Sequence, residues 1–178
     1  MTGPLNLEQI IRFLLETPMF GDLDAAELSQ IVHIMQVQRL RDGQQLFEEG
    51  QPGDAWYVLF EGVVEVVKTT LDEGERVLAV VESKGCFGEM AILDGSPRSA
   101  TVRAVVPSTV FRFPRDGFQE LLDENNLVAY KLVFQMALVL VARQRQTTQR
   151  LVELLRQHQG HPVQEGLAPI VEESSPSE

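Results

Sequence analysis

The sequence predicts an α+β fold in which an antiparallel β unit lies between helices at both ends. The middle of the chain, from about Val37 to Phe113, consists of short β-rich runs separated by turn sequences. The segments before and after it place apolar residues at helical spacing. Many short strands at close spacing are typical of a β-sandwich, a jelly roll or a small barrel.

The first segment, residues 1–36, is predicted to contain two short helices. Apolar residues recur with helical spacing in its first half, and the Thr-Pro pair at Pro18 interrupts them. A second helix is expected to follow from an N-cap at Asp22 or Asp24, because a short carboxylate side chain can accept from the free N–H groups of the first turn.

The middle segment, residues 37–114, is predicted to be the β unit. Runs such as AWYVLFEG, VVEVVKTT and ATVRAVV are rich in β-branched and aromatic residues. Asp-Gly, Pro-Gly-Asp and Asp-Glu-Gly turn sequences separate such runs. Side chains alternate along a strand, so Trp56 and Tyr57 are expected on opposite faces, with at least one of them in the core.

The third segment, residues 115–159, returns to helical spacing. A short helix is expected over Asp116–Asp123, and a long helix is expected to begin near Asn125 or Asn126. The last nineteen residues (160–178) contain four glutamates, no Lys or Arg, and several Pro and Ser residues. Such a composition cannot bury enough apolar surface to order itself, so a disordered acidic tail is predicted.

The long helix is unusually apolar in its first half. Between Leu132 and Ala142 only Gln135 is polar, so nearly every face must be covered, by the β unit, by a second subunit or by both. Alternating four- and three-residue steps define a coiled-coil seam with polar interruptions: Val133, Ala137, Leu140, Gln144, Thr147, Leu151, Leu154 and His158. A parallel homodimer is preferred to a helix that lies only on its own β unit.

Charge and composition argue against several classes of protein. The net charge of −11 disfavours nucleic-acid binding, which depends on Lys and Arg neutralising phosphates. The apolar stretch 132–142 is shorter than the roughly 20 residues that span a bilayer, so no membrane association is expected. The single cysteine, Cys86, allows no internal disulfide and favours a reducing compartment. A cytoplasmic protein is therefore predicted.

Catalytic and metal-binding patterns are not apparent in the sequence. His33, His158 and His161 lack the spacing of metal ligands, and no nucleophile, base and orienting group occur together. Neither an enzyme nor a cofactor or metal site is expected, and Cys86 is best interpreted as a small space-filling residue.

The segment CFGEMAILDGSPRSATV, residues 86–102, has the chemistry of a sugar-phosphate site. GEMAIL can form one helical turn after Gly88, and a helix N-terminus offers free N–H groups to a phosphate. The Gly-Ser-Pro turn can bring Arg98 back to the same spot, and Glu89 can accept from vicinal hydroxyl groups. The alternative is an ordinary loop in which Glu89 and Arg98 form a salt bridge with each other.

This segment resembles the phosphate-binding cassette of cyclic nucleotide-binding domains. These domains occur in the catabolite activator protein, the regulatory subunits of cyclic AMP-dependent kinase and cyclic nucleotide-gated channels. The family pattern is Phe-Gly-Glu, an aliphatic residue and Ala, then Arg-(Ala/Ser/Thr)-Ala-(Thr/Ser)-Val. Ten residues match it: Phe87, Gly88, Glu89, Met90, Ala91, Arg98, Ser99, Ala100, Thr101 and Val102. The upstream run LFEEGQPGDAWYVLFEGVVEVV is also similar to the family, and the resemblance covers roughly residues 14–155.

The resemblance implies an eight-stranded β jelly-roll, flanked by N-terminal helices and a long C-terminal helix, that binds a cyclic nucleotide. By position, Arg98 should pair with the cyclic phosphate and Glu89 with the ribose 2′-hydroxyl. The rest of the cassette should supply backbone or hydroxyl contacts, chiefly from Gly88, Ala91, Ser99 and Ala100 within the matched set that also includes Phe87 and Met90.

The identity of the base is predicted from two further positions. In relatives, Thr directly after the arginine tends to favour cyclic GMP, whereas Ala or Ser is typical of proteins that prefer cyclic AMP, so Ser99 favours cAMP. The long helix usually covers the base in this family, and alignment places Arg143 and Gln144 near the base-facing positions. The alternative is that Arg143 and Gln144 are ordinary solvated or seam residues.

The resulting prediction is a stand-alone cyclic-nucleotide sensor that signals through its C-terminal helix to an unidentified protein effector. A ligand-free jelly-roll that serves as a dimerisation or interaction module is the first alternative. A transcription regulator is the second, but it would need a helix-turn-helix after the dimer helix, and the acidic residues after Gln159 do not resemble one.

Overall fold

The computed structural model describes residues 5–70 and 74–158, and the predicted acidic tail (160–178) and His161 lie outside the described residues. The helices are α1 (Leu7–Leu15), α2 (Ala25–Val32), α3 (Met90–Leu93), α4 (Arg115–Asp123) and α5 (Leu127–His158), with a 3₁₀ turn at Pro18–Phe20. The strands are β1 (Gln36–Leu40), β2 (Gln45–Phe47), β3 (Ala55–Glu61), β4 (Val63–Thr70), β5 (Gly74–Glu82), β6 (Cys86–Phe87), β7 (Thr101–Ala104) and β8 (Ser108–Pro114).

The eight strands form two four-stranded antiparallel sheets, as the predicted jelly roll requires. The first sheet has the order β1-β8-β3-β6, and the second has the order β2-β7-β4-β5. In the first sheet β8 lies between β1 and β3, so Arg112 is opposite Gln36 on one side and Tyr57 on the other. The prediction of an α+β fold with helices at both ends is confirmed.

The alternation of Trp56 and Tyr57 is confirmed, and both residues are buried. Tyr57 belongs to an apolar cluster formed by residues of both sheets, together with Leu59, Val64 and Val102. Trp56 belongs to a second cluster that joins the other face of the first sheet to the helices. The first sheet is therefore covered on both faces.

Capping residues set the starts of the two N-terminal helices. Asp24, rather than Asp22, is the N-cap of α2: its side chain accepts from the N–H of Glu27, which in turn accepts from the N–H of Asp24. Asn6 and Gln9 form the same reciprocal pair at α1. Such caps satisfy donors that a helix end leaves open, which is why both helices start where short polar side chains occur.

The first part of α5 belongs to the core of the domain. Asn126 accepts from the N–H of Val128, so the helix begins at Leu127, next to the predicted start. One face of its first turns is buried against the helical cluster through Val128, Ala129, Leu132 and Met136. Lys131 also forms an ion pair with Glu27 of α2. Part of the apolar run is thus covered by the chain's own domain.

A second face of α5 is apolar and exposed. In residues 127–139, the exposed large apolar side chains are Leu127, Tyr130, Phe134 and Leu138, of which Phe134 is 62% exposed. Of the predicted seam, Ala137 is also exposed, whereas Val133 is partly buried against the helical cluster. The exposed surface therefore includes Phe134 rather than Val133 in this part of the helix.

The described residues up to Val139 form one compact unit, and the described residues from Leu140 onward, which are the remainder of α5, form a second. This second unit also exposes apolar side chains: Val141, Leu151, Val152, Leu154 and Leu155. In the described chain, one helical stretch, Leu127–Arg156, could cross a bilayer by length and composition. Length and composition are weak evidence for a span, because core helices of folded domains meet the same criterion; here 22% of the most apolar 18-residue window is buried.

Candidate functional site

The segment 86–102 connects the edge of the first sheet to the interior of the second. It leaves β6, forms the four-residue helix α3 and enters β7. The predicted helical turn after Gly88 is therefore present. Asp94 accepts from the N–H of Ser96, and Gly95 has φ +73°, so the chain reverses sharply before Arg98.

The side chain of Arg98 is almost completely buried, with 1% of its surface exposed. Its Nη1 donates to the carbonyl oxygen of Gly88 at 3.0 Å, and its Nη2 donates to the carbonyl oxygen of Ala55 at 2.7 Å and to Asp54 Oδ1 at 3.1 Å. Within the described structure its buried Nε has no hydrogen-bond partner. A buried cation with an unsatisfied donor is costly unless an acceptor can reach it.

Aromatic rings surround the guanidinium group of Arg98. Its central carbon lies 4.1 Å from the ring centroid of Phe47 and 5.6 Å from that of Tyr57. The ring of Tyr57 is stacked on that of Phe87, with centroids 5.5 Å apart. Because the π faces attract a cation and exclude water, the rings fix Arg98 and strengthen its remaining electrostatic interactions.

Two glycines allow the backbone to approach this site closely. Gly88 has φ +78°, and a Cβ added there would lie 2.9 Å from Arg98 Nη1. A Cβ on Gly53, in the β2–β3 loop, would lie 2.2 Å from the Cβ of Ala91 in α3. The cassette therefore packs against the β2–β3 loop at a distance that only glycine permits.

Hydrogen bonds to its main chain hold the cassette to the β2–β3 loop and to the second sheet. The N–H of Arg98 donates to the carbonyl of Gln51, and the N–H of Gly50 donates to the carbonyl of Arg98, each at 2.8 Å. The carbonyl of the next residue, Ser99, accepts from Lys68 Nζ on β4 at 3.0 Å. The segment is thus fastened to the β2–β3 loop on one side and to the second sheet on the other.

The predicted cassette residues differ in exposure. Phe87, Glu89, Ala91, Arg98 and Ala100 are buried, and Glu89 is one of only four buried polar or charged residues in the described chain. Gly88 is partly exposed, and Met90 and Ser99 are exposed. A carboxylate and a guanidinium, both buried within ten residues of each other, are rare outside functional sites because each loses hydration.

Asp54 is a member of this site that the sequence did not reveal. Its Oδ1 accepts from Arg98, and its Oδ2 accepts from Arg112 Nη2 at 2.7 Å. Burial raises the pKa of Asp54. The hydrogen bond and charge of Arg112 and the charge of Arg98 together lower it by more than burial raises it, so the pKa is below its ordinary value. The carboxylate therefore remains ionised between two cations.

One cavity lies beside Asp54, and a second lies elsewhere in the described structure. One, of about 460 Å³, is lined by Asp54, Tyr57, Phe47 and Arg112, with Gln38, Leu46, Gln51 and Pro52. It reaches the same Asp54 and Tyr57 side chains that contact or face Arg98. The other, of about 520 Å³, lies between α1 and the end of β3 and includes Arg12, Phe13, Phe60 and Lys84.

Arg143 and Gln144, the predicted base contacts, lie in the second unit. Both are exposed there, and the carbonyl of Arg143 accepts from the hydroxyl of Thr147 within the helix. Their approach to a base stays a prediction.

Comparison with known proteins is consistent with this geometry. Residues 37–125, half of the chain, match the family described as the cyclic nucleotide-binding domain. The chain belongs to this family. The matched range includes the eight cassette residues that the sequence predicts to contact the ligand, from Phe87 to Ala100. It excludes the predicted base contacts Arg143 and Gln144.

Individual relatives are regulatory proteins or isolated domains. The chain is 37% identical over 111 residues to the cAMP-dependent protein kinase regulatory subunit of Yarrowia lipolytica. This match covers 62% of the chain and 28% of the relative. A cyclic nucleotide-binding domain from Methylobacillus flagellatus has a TM-score of 0.76 at 26% identity, covering 92% of this chain and 88% of that structure. The catabolite activator protein of Thermus thermophilus has a TM-score of 0.64 at 29% identity, with 78% and 63% covered.

This chain spans about a quarter of the length of curated relatives that it matches, between 18% and 28%. It is related both to kinase regulatory subunits and to bacterial regulators of the catabolite activator type.

Proposed function

We propose that this chain is a sensor that binds a cyclic nucleotide, cAMP in preference to cGMP, with Arg98 as the partner of the cyclic phosphate. The observation that carries the proposal is the buried guanidinium of Arg98, whose Nε–H has no acceptor in the described structure. A phosphate oxygen would satisfy this donor and neutralise the charge in a low-dielectric environment. The guanidinium is already oriented by Asp54, Ala55 and Gly88, so little ordering is required.

Glu89 is the proposed partner of the ribose. It is buried directly after Gly88, whose carbonyl oxygen accepts from Arg98, so the carboxylate and the guanidinium belong to one compact site. An ionised carboxylate is an acceptor only, which suits the 2′-hydroxyl as donor. This division of roles gives the phosphate to the cation and the sugar to the anion.

The preference for cAMP is supported by two points. Ser99 follows Arg98 at the position where Thr is associated with cyclic GMP in the family. The kinase regulatory subunit of Yarrowia lipolytica, which matches this region, carries cAMP in its name. Arg143 and Gln144 are the proposed contacts to the base.

Transmission of binding is proposed to run through α4 to α5. The carbonyl of Asp54 accepts from the N–H of Arg115, the first residue of α4, at 2.8 Å. Phe118 of α4 packs edge-on against Trp56, and the helical cluster continues to Leu132 and Met136 of α5. A change at Arg98 that moves Asp54 therefore has a packed route to both helices, and the reader of the signal is a protein effector.

Isothermal titration of the purified full chain with cAMP and with cGMP tests the proposal. Arg98→Leu should lose about 2–5 kcal/mol of binding, because a desolvated anion loses its partner. Glu89→Gln should lose less, about 1–3 kcal/mol, because it weakens a hydrogen bond to a neutral hydroxyl. Arg103→Leu is the matched control, since Arg103 pairs with Glu65 and Glu75 on the second sheet, away from Arg98.

Circular dichroism melting of each variant separates loss of binding from loss of folding, and Arg98→Lys provides a charged variant if Arg98→Leu does not fold. Absence of heat with either nucleotide in the wild-type chain would favour the ligand-free interaction module. Equal affinity of wild type and Arg98→Leu would remove Arg98 from the site. Tighter binding of cGMP would overturn the assignment of the base.

A further inference from the structure

We propose that Arg112 is a positioning residue for this site, which holds Asp54 as the acceptor that orients Arg98. The inference rests on the proposed function, because it concerns the arginine assigned to the phosphate. Arg112 lies outside the cassette, on β8, and its link to Arg98 runs through the carboxylate of Asp54. Its side chain also interacts with Tyr57, whose ring lies 5.6 Å from the guanidinium carbon of Arg98.

The two oxygens of Asp54 are divided between the two arginines. Oδ1 accepts from Arg98 Nη2 at 3.1 Å, and Oδ2 accepts from Arg112 Nη2 at 2.7 Å. The side chain of Asp54 is 62% exposed, whereas those of Arg98 and Arg112 are 1% and 21% exposed. An exposed carboxylate that contacts a buried cation at a single point would rotate, unless its second oxygen were held as well.

Arg112 is well placed to hold it because the first sheet fixes Arg112 from both sides. Its strand pairs with β1 and β3, and its Nη1 donates to the side chain of Gln36 on β1 at 2.9 Å. Asp54, in contrast, precedes β3 at the end of the β2–β3 loop. A strand residue with two anchors therefore orients a loop residue that in turn orients Arg98.

Charge leads to the same conclusion. Arg98, Asp54 and Arg112 carry +1, −1 and +1, which leaves a net charge of +1 next to the proposed phosphate. Without Arg112 the remaining pair is neutral, and the carboxylate is free to compete with the phosphate for Arg98. Glu89 in the same site carries the opposite charge, so Arg112 keeps the site from becoming net negative in a chain of net charge −11, which favours binding of an anion.

A pH profile distinguishes this role from simple structural support. The titratable or charged groups that face Asp54 are Arg98, Arg112 and Tyr57, and the pKa of Tyr57 is raised by burial and by the charge of Asp54. Burial raises the pKa of Asp54, and Arg112 is the leading cause that lowers it, so removal of Arg112 should raise that pKa. Protonation would then remove the competing charge as the pH falls.

The experiment compares cAMP binding by wild type and Arg112→Gln in isothermal titration. At about pH 7 the variant should bind roughly tenfold more weakly, which corresponds to about 1.4 kcal/mol. The deficit should shrink as the pH is lowered toward about 4.5, and Arg112→Lys should recover part of the affinity at neutral pH. Arg103→Gln is the control, since it removes another strand arginine with two carboxylate partners and should bind as wild type does.

A second measurement needs no nucleotide. In the ligand-free chain, the ¹⁵N resonance of Arg98 Nε should be sharp in wild type and in Arg103→Gln, and broadened in Arg112→Gln. An unchanged Arg98 resonance, or an affinity loss that is independent of pH, would overturn the positioning role. A wild-type chain that binds neither nucleotide would overturn the proposed function, while the Arg98 resonance would still decide whether Arg112 orients it.

Discussion

The two sheets of the β unit have four strands each but are covered to different extents. In the first sheet, residues 55–59 of β3 are all buried, because one face packs on the other sheet and the opposite face packs on helices. In the second sheet, β5 is one of the two edge strands and exposes Val77, Leu78 and Val80. Because both of its faces are buried, we expect the first sheet to be the more rigid of the two.

The cassette is fastened to both sheets, but with different groups. The side chain of Arg98 donates to Ala55 at the start of β3, whereas Lys68 of β4 reaches only the main-chain carbonyl of Ser99. Since the helices pack on the first sheet, the contacts of Arg98 are the ones that can reach α4 and α5. If Arg98 binds the phosphate as proposed, both the binding site and the proposed route to α4 and α5 depend on the first sheet.

The largest effect that tests this comparison is on stability. Trp56→Ala should lower the free energy of unfolding by about 3–5 kcal/mol, since it empties the space that a fully buried indole fills beside Phe113 and Phe118. Leu78→Ala, on the exposed edge strand, should cost no more than about 0.5 kcal/mol. Urea unfolding measures both. Similar losses would mean that the outer surface of the second sheet is covered in solution.

The next effect concerns the assembly of two chains. One face of α5 completes the cover of the first sheet, and the other exposes Phe134. If a homodimer forms through that face, Phe134→Glu should place like charges across a two-fold axis and shift sedimentation from dimer toward monomer, since such contacts cost several kcal/mol.

Val80→Glu is the control for assembly because Val80 has similar exposure, 58% against 62%, on the edge of the second sheet. Dissociation by Val80→Glu alone would transfer the interface to the second sheet. A monomeric wild type at micromolar concentration would remove the homodimer altogether.

The smallest effect separates backbone strain from contact with Arg98. Gly88 and Gly43 have similar positive φ angles, +78° and +71°, so alanine should strain both by about 1–2 kcal/mol. Only at Gly88 would the new Cβ meet Arg98, whereas the surroundings of Gly43 are open to 4 Å. Gly88→Ala should therefore weaken cAMP binding and Gly43→Ala should not, as measured by titration. Equal affinity of the two variants would show that Arg98 can shift without loss.

Local chemistry determined several elements of this protein from the sequence alone. An N-cap at Asp22 or Asp24, the opposite faces of Trp56 and Tyr57, and the helical turn after Gly88 each depend on residues within a few positions of one another, and the structure selected Asp24. The cassette is contiguous in sequence, so its pattern was visible before its geometry. The close spacing of short β-rich runs indicates a sandwich, a jelly roll or a small barrel, and the resemblance of the cassette to the family selected the jelly roll among them.

Tertiary structure decided the environment of Arg98. Asp54 precedes Arg98 by 44 residues and Arg112 by 58 residues. Phe47, whose ring lies over Arg98, comes from β2. No local spacing in the sequence marks these residues as neighbours, because β8 pairs between β1 and β3 only in the folded sheet. The face of α5 that is buried was likewise set by packing, since an almost uniformly apolar run carries no periodic signal to distinguish Val133 from Phe134.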